Sequence, residues 1–254
     1  MIYFIYDATF DGLLTAVFES FDRKLIPDKV ISENEQIPLF IEQIVDIATD
    51  EVKSQRVWKG LQKKLSPSAC SMLTVNFLAD YPNLSTILFR YICKTFQSER
   101  SIETNFSDND VLELSQLYRK VRYEATRVMQ FLRFQKSSDD IFFGPIAPLH
   151  NVLPLVISHF TDRFADQKWV IYDTKRQYGI FYDLKSTQEI ILDNIQVEET
   201  TGKLHKEAMA EDEKIFQQMW KEYFNSLAIK ERINPKLHRQ NLPRRFWKYL
   251  PEKR

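Results

Sequence analysis

The chain opens on a run of β-branched and aromatic residues, Ile2–Tyr6, which predicts a short buried strand. A turn over 7–12 follows, with Asp7 at the strand's end. Apolar residues then recur at helical spacing over 13–21, at Leu13, Leu14, Val17, Phe18 and Phe21. From about 50 to 136 the period is helical throughout. Ser66 before Pro67 predicts an N-cap with proline at the first helical position, and Tyr81-Pro82 stops that helix. A second helix is expected over 83–96. A third, the longest, starts at the capping residues 107–110. On it Leu114, Leu117, Tyr118, Val121, Ala125, Val128 and Leu132 fall on one side. Arg119, Lys120, Arg122, Arg127 and Arg133 fall on the other, with Glu124 near the edge.

Beyond 137–140 the period changes. A strand is expected over 141–147 and an apolar helix containing Pro154 over 149–164. Strands at 169–173 and 180–183 read as a hairpin with Gly179 near the end of its loop, and 188–192 as a third strand. A polar loop over 194–206 leads to an amphipathic helix over 211–229. Its Ile215, Met219, Trp220, Tyr223, Phe224 and Leu227 are expected to face inward. The order predicts an α+β fold: a mixed sheet with strands from the N-terminus and the 141–192 region, plus a large helical middle section. A single domain over 1–254 is expected, with 50–136 as a candidate helical lobe and 230–254 as a basic C-terminal arm.

Five glycines and ten prolines against 44% hydrophobic residues exclude a fibrous or low-complexity class. The opening has no basic n-region, and no apolar run approaches the roughly 20 residues that span a bilayer, so a cytoplasmic protein without membrane contact is expected. Cys70 and Cys93 form no CxxC and have no histidine at ligand spacing. They read as reduced thiols, and no cofactor or metal is expected within the chain.

Charge changes the picture more. The 35 basic and 35 acidic residues balance, yet 230–254 holds nine Lys or Arg against two Glu, a formal +7, leaving −7 on 1–229. Basic residues interleaved with Phe246, Trp247 and Tyr249 suit a polyanion whose bases can stack, a nucleic acid. The residues expected to meet nucleic acid are Arg119, Arg127, Arg133, Arg176, Arg239, Arg244, Arg245, Trp247 and Lys248.

Catalytic chemistry is less legible. Asp7 and Asp173 both follow strands and could share a cleft beside Arg176, where paired acids hold Mg²⁺ or move protons; helix capping and ion pairing are the preferred reading of both. His159 stands four residues from Arg163, and a structural role is preferred there too. The sequence contains no HExxH, GxSxG, P-loop or GxGxxG. An enzyme acting on DNA through the strand-end carboxylates and an interaction scaffold that never meets DNA remain the alternatives.

Several blocks together resemble a known family. They are Tyr6-Asp-Ala-Thr-Phe-Asp-Gly12 with its helix, Arg127-x-x-x-Phe-Leu-Arg-Phe134, Asn151-Val-Leu-Pro-Leu155, His159-Phe160, Arg163-Phe164, Ile171-Tyr-Asp173 and Leu242-Pro-Arg-Arg-Phe-Trp-Lys-Tyr-Leu-Pro-Glu252. The chain resembles the bacterial probable DNA metabolism proteins linked to a radical S-adenosylmethionine protein, a domain of unknown function related to one preceding some uracil-DNA-glycosylase-like modules. The resemblance implies a DNA repair or modification context and a radical S-adenosylmethionine protein as partner. It supplies no catalytic residues. The family pattern has His just before Arg127 where this chain has Thr126, so no histidine role is carried over, and glycosylase activity is not expected.

Overall fold

A computed structural model describes the chain except residues 38–40, 193–197, 199–202, 206, 228 and 254. It is an α+β fold in two units, Met1–Arg122 and Tyr123–Arg254.

The first unit is built on β1 (Ile2–Tyr6), which pairs in parallel with β2 (Lys29–Ser32) and β3 (Gln43–Asp46) on either side, so that Phe4 stands opposite both Val30 and Val45. A central parallel strand is covered on both faces, which is why Ile2–Tyr6 reads as a continuous apolar run. β2 is an edge, and its outward groups are satisfied: Val30 N donates to Thr86 Oγ1 (3.0 Å), which donates to Val30 O (2.9 Å). Helices α1 (Phe10–Asp22), α2 (Glu51–Lys64), α3 (Pro67–Phe77) and α4 (Leu84–Gln97) pack around the sheet. Their starts follow the chemistry of the caps. Thr9 accepts from Gly12 N, Asp50 from Val52 N and Lys53 N, and Ser66 from Ala69 N with Pro67 in the first turn. Asp108 does the same for α5 (Asn109–Phe131), accepting from Asp110 N (2.9 Å) and Val111 N (3.3 Å). The apolar side expected of α5 is buried from Leu114 through Leu132, except that Tyr118 is half-exposed.

Near the start of α5, the buried Asp110 accepts from Arg90 Nη2 (2.5 Å) and Lys94 Nζ (2.8 Å). Burial alone would raise its carboxyl, but the hydrogen bonds and charges of Arg90 and Lys94 outweigh it and hold the pKa below the ordinary value. A carboxyl depressed in the folded state contributes stability that is fully present above its unfolded pKa of about 3.9 and is lost as pH falls through the folded value. Urea unfolding of the first unit is therefore expected to lose midpoint as pH drops below about 4. Asp110→Asn should be weaker at pH 7 and show a shallower acid slope; an unchanged slope would remove Asp110 from the account.

The second unit holds a five-stranded sheet in the order β4-β5-β6-β7-β8. Its strands are β4 (Gln135–Lys136), β5 (Phe142–Ile146), β6 (Trp169–Asp173), β7 (Tyr178–Tyr182) and β8 (Thr187–Ile190). β5 and β6 are parallel, joined through α6 (Leu153–Arg163), and the other pairs are antiparallel. Trp169, fully buried, is the hub of the core, with the rings of Phe134, Phe160 and Tyr182 within 6.3 Å. α7 (Glu213–Leu227), α8 (Pro235–Asn241) and α9 (Arg244–Trp247) complete the unit, with short 3-10 turns at Lys230–Arg232 and Pro251–Lys253.

Four expectations change. The N-terminal strand does not join those of 141–192; it forms a sheet of its own with two four-residue strands. Pro154 lies in the first turn of α6, where its missing N–H costs nothing, so the helix begins at Leu153. Gly179 sits inside β7, and a Cβ there would meet Ile171 O at 2.8 Å; the hairpin turn instead closes on Gln177 at φ 59°. The apolar residues of α7 face outward: Ile215, Met219, Trp220, Tyr223, Phe224 and Leu227 are all exposed. The polar loop over 194–206 falls largely outside the described residues.

Candidate nucleic-acid interface

Three buried carboxylates organise the basic residues of the second unit. Asp173, at the end of β6, has no solvent exposure. Its Oδ1 accepts from Lys175 N (2.9 Å) and Arg176 N (3.2 Å), and its Oδ2 from Arg176 Nη1 (2.5 Å). The same guanidinium donates to Pro148 O (3.3 Å) and Leu149 O (3.1 Å), fixing the loop after β5. Leu149 N in turn donates to Glu124 Oε1 (2.9 Å). Glu124 is 2% exposed and takes an ion pair from Arg245, with Arg127 Nη1 at 3.8 Å. Arg127 stacks on Tyr123 at 4.2 Å and donates to Gln240 O (3.3 Å). Glu252 accepts from Arg133 Nη2 (3.0 Å) and Trp220 Nε1 (2.9 Å).

Arg127, Arg133, Arg176 and Arg245 thus hold buried acids, four guanidiniums on three carboxylates, with Arg127 and Arg245 sharing Glu124. The expected outward face of α5 divides: Arg119, Lys120 and Arg122 are exposed, Arg127 and Arg133 half-buried. Phe246 and Tyr249 are core residues. Trp247 is half-buried, donates Nε1–H to Leu242 O (3.1 Å) and lies between Arg244 (5.9 Å) and His238 (5.8 Å). Lys248 lies over Tyr249. Arg239 and Arg244 remain exposed, as do Arg232 and Lys236 earlier in the same segment.

The strand-end carboxylates lie in different units. Asp7 accepts from Thr9 N (3.1 Å), Thr9 Oγ1 (2.6 Å) and Thr49 Oγ1 (2.7 Å). Burial pushes its pKa up, but these donors prevail and leave it below the ordinary value. Gly12 makes room for this arrangement, since a Cβ there would stand 2.2 Å from Asp7 Oδ1. His159 is half-buried on α6 with its ring edge-to-face on Phe160 at 5.1 Å. Among the described residues, no group of three or more His, Cys, Asp or Glu is placed to hold a metal ion. No helix among them is long and apolar enough to cross a membrane.

Sequence reasoning did not anticipate the Tyr178 hydroxyl, which donates to Asn151 Oδ1 and whose pKa burial pushes up to about 12. Nor did it anticipate the Glu124 and Glu252 clamps. The dense closing block 242–252 was the available signal.

The second unit is therefore a mixed sheet whose basic C-terminal segment is pinned by buried acids, with Arg232, Lys236, Arg239 and Arg244 of that segment left exposed. Residues 82–252 match DUF4130, a domain of unknown function, and the chain belongs to that family. No curated protein matches. Among solved structures the chain is similar to a Vibrio pGpG-specific phosphodiesterase, PggH, at 12% identity and a TM-score of 0.31, over 90% of this chain and 100% of that one. A likeness of that degree carries no argument about activity.

Proposed function

We propose that this protein binds nucleic acid in DNA metabolism and works with a radical S-adenosylmethionine enzyme. One observation carries the nucleic-acid part. Between Arg232 and Lys248 there are six Lys or Arg and no Asp or Glu, and Arg232, Lys236, Arg239 and Arg244 are exposed there. A segment of one sign with exposed cations, and with Trp247 half-buried beneath Arg244, suits backbone phosphates with a ring nearby for a base. The enzyme partner and the repair or modification context come from the resemblance of the sequence blocks. The outward apolar residues of α7 support a protein partner in addition. Hydrolytic chemistry through Asp7 and Asp173 gains nothing from their placement in separate hydrogen-bond sets.

Arg239→Ala with Arg244→Ala tests the reading, because both side chains are exposed and the fold should survive. Affinity for mixed-sequence oligonucleotides should fall regardless of sequence. The slope of log affinity against log salt should shrink by about 0.7–0.9 for each phosphate no longer neutralised. A folded double variant with unchanged affinity and slope would refute phosphate binding by this segment.

A further inference from the structure

The basic segment is not the only feature of the second unit suited to a nucleotide. An open cleft of about 540 Å³ lies between the start of α7 and the β4–β5 edge, within the roughly 300–1,000 Å³ of small-molecule sites. We propose that this cleft binds one nucleotide, its base stacked on Trp220 and Phe216 and its phosphate facing Lys136.

Three observations carry this. First, the main ring of the aromatic platform, Trp220, is anchored before any ligand arrives. Trp220 Nε1–H donates to Glu252, which also holds Arg133, and the Arg133 guanidinium lies 5.5 Å from the Trp220 ring centroid. Trp220 nevertheless stays 38% exposed and its neighbour Phe216 56%, while Phe142 contributes a third ring to the lining. An anchored but wet ring with a second exposed ring beside it in the lining is what a stacking base requires. Second, the cleft has a charged side. Lys136 pairs at 2.8 Å with Asp140, whose side chain is 82% exposed, and also feels the charges of Asp212 and Glu213 in the lining, so an incoming phosphate competes with a solvent-screened pair and must approach from the side of the cleft away from those two acids. Third, the lining does not suit an extended peptide. A strand would need the free backbone of the β4 edge, yet Lys136 N already donates to Glu213 Oε2 (3.0 Å) and Lys136 O accepts from Ala210 N (3.0 Å). The buried Glu213 also accepts from Gln217 Nε2 (2.9 Å), orienting that amide in the cleft wall as a hydrogen-bonding group for a base edge.

The nucleotide could be free or an unpaired member of a strand; the chemistry of recognition is the same. Calorimetric titration of the full chain with nucleoside 5′-monophosphates, the matching nucleosides and inorganic phosphate tests it. Saturable binding of a monophosphate is expected, weaker for the nucleoside and absent for phosphate. Phe216→Ala, at an exposed position, should lower affinity about tenfold, and Trp220→Phe, which keeps a ring but loses the Nε1–H anchor on Glu252, should lower it less than Trp220→Ala. Lys136→Gln should weaken the monophosphate but not the nucleoside. Arg239→Ala with Arg244→Ala should leave monophosphate binding intact, so the cleft and the basic segment can fail separately. Competition by a single-stranded oligonucleotide would identify the strand as the source of the nucleotide, and its absence a free one. No saturable binding up to about 1 mM, or binding indifferent to Phe216→Ala, would overturn the proposal.

Discussion

Phe246→Ala is expected to destabilise the second unit by about 3–5 kcal/mol, the usual cost of removing a buried phenyl ring from a packed site. At roughly 4 °C per kcal/mol for a unit of this size, its melting temperature should fall by roughly 12–20 °C. The ring is 2% exposed, 5.7 Å from the ring of Phe131 and covered by Arg245 at 4.8 Å. Little around it can collapse into the space, because Arg245 is held by Glu124. Phe246→Leu should cost much less, since most of the volume stays. Trp247→Ala, at a half-buried neighbour, should fall between. Differential scanning calorimetry on the three variants measures the order. A Phe246→Ala loss below about 1 kcal/mol, the ordinary effect of a point mutation, would mean the segment is not part of the core.

Glu124→Ala should cost about 3 kcal/mol, the low end of the range for breaking a buried ion pair. It removes the acceptor of Leu149 N and the counter-charge of Arg245 and Arg127 together. The low end applies because Arg245 and Arg127 keep 29% and 16% side-chain exposure and can recover some hydration. Glu124→Gln separates the contributions: its amide oxygen can still take the Leu149 N–H, but the charge is gone, so it should fall between wild type and alanine. The double variant Glu124→Ala with Arg245→Ala should be less damaging than the sum of the singles. Additive losses in that cycle would show that the two side chains do not act as a pair.

The elements with long, regular periods were legible, and the strand of Ile2–Tyr6, the capped helices and the hairpin strands came from local chemistry alone. β2 and β3 were not, because four residues establish no period and their pairing with Ile2–Tyr6 is decided by register at a distance. The role of α5's arginines was hidden for a related reason. A wheel places Arg127 and Arg133 opposite the apolar stripe, but their acids come from Glu124, at the stripe's edge, and from Glu252, 119 positions after Arg133. For α7 the wheel gave the amphipathic pattern without saying what covers it, and its apolar side meets water. Of the candidate site, the basic character of 230–254 was readable. Which cations are spent on buried acids was not, since that depends on burial that no local pattern encodes.

The clamp between Glu124 and Arg245 spans 121 positions, and that distance has a cost during synthesis. At about 5–20 residues per second, a ribosome needs roughly 6–24 s to make Arg245 after Glu124. Throughout that interval the second half of α5 can coil and the sheet can begin to pair, but Glu124 lacks its main cation and Phe131 lacks its covering ring. The nascent chain then presents an acid short of its main counter-charge beside bare apolar surface, a natural substrate for holdase chaperones. Synonymous codon changes that slow the stretch between α5 and α9 should therefore lower soluble yield without altering the purified protein.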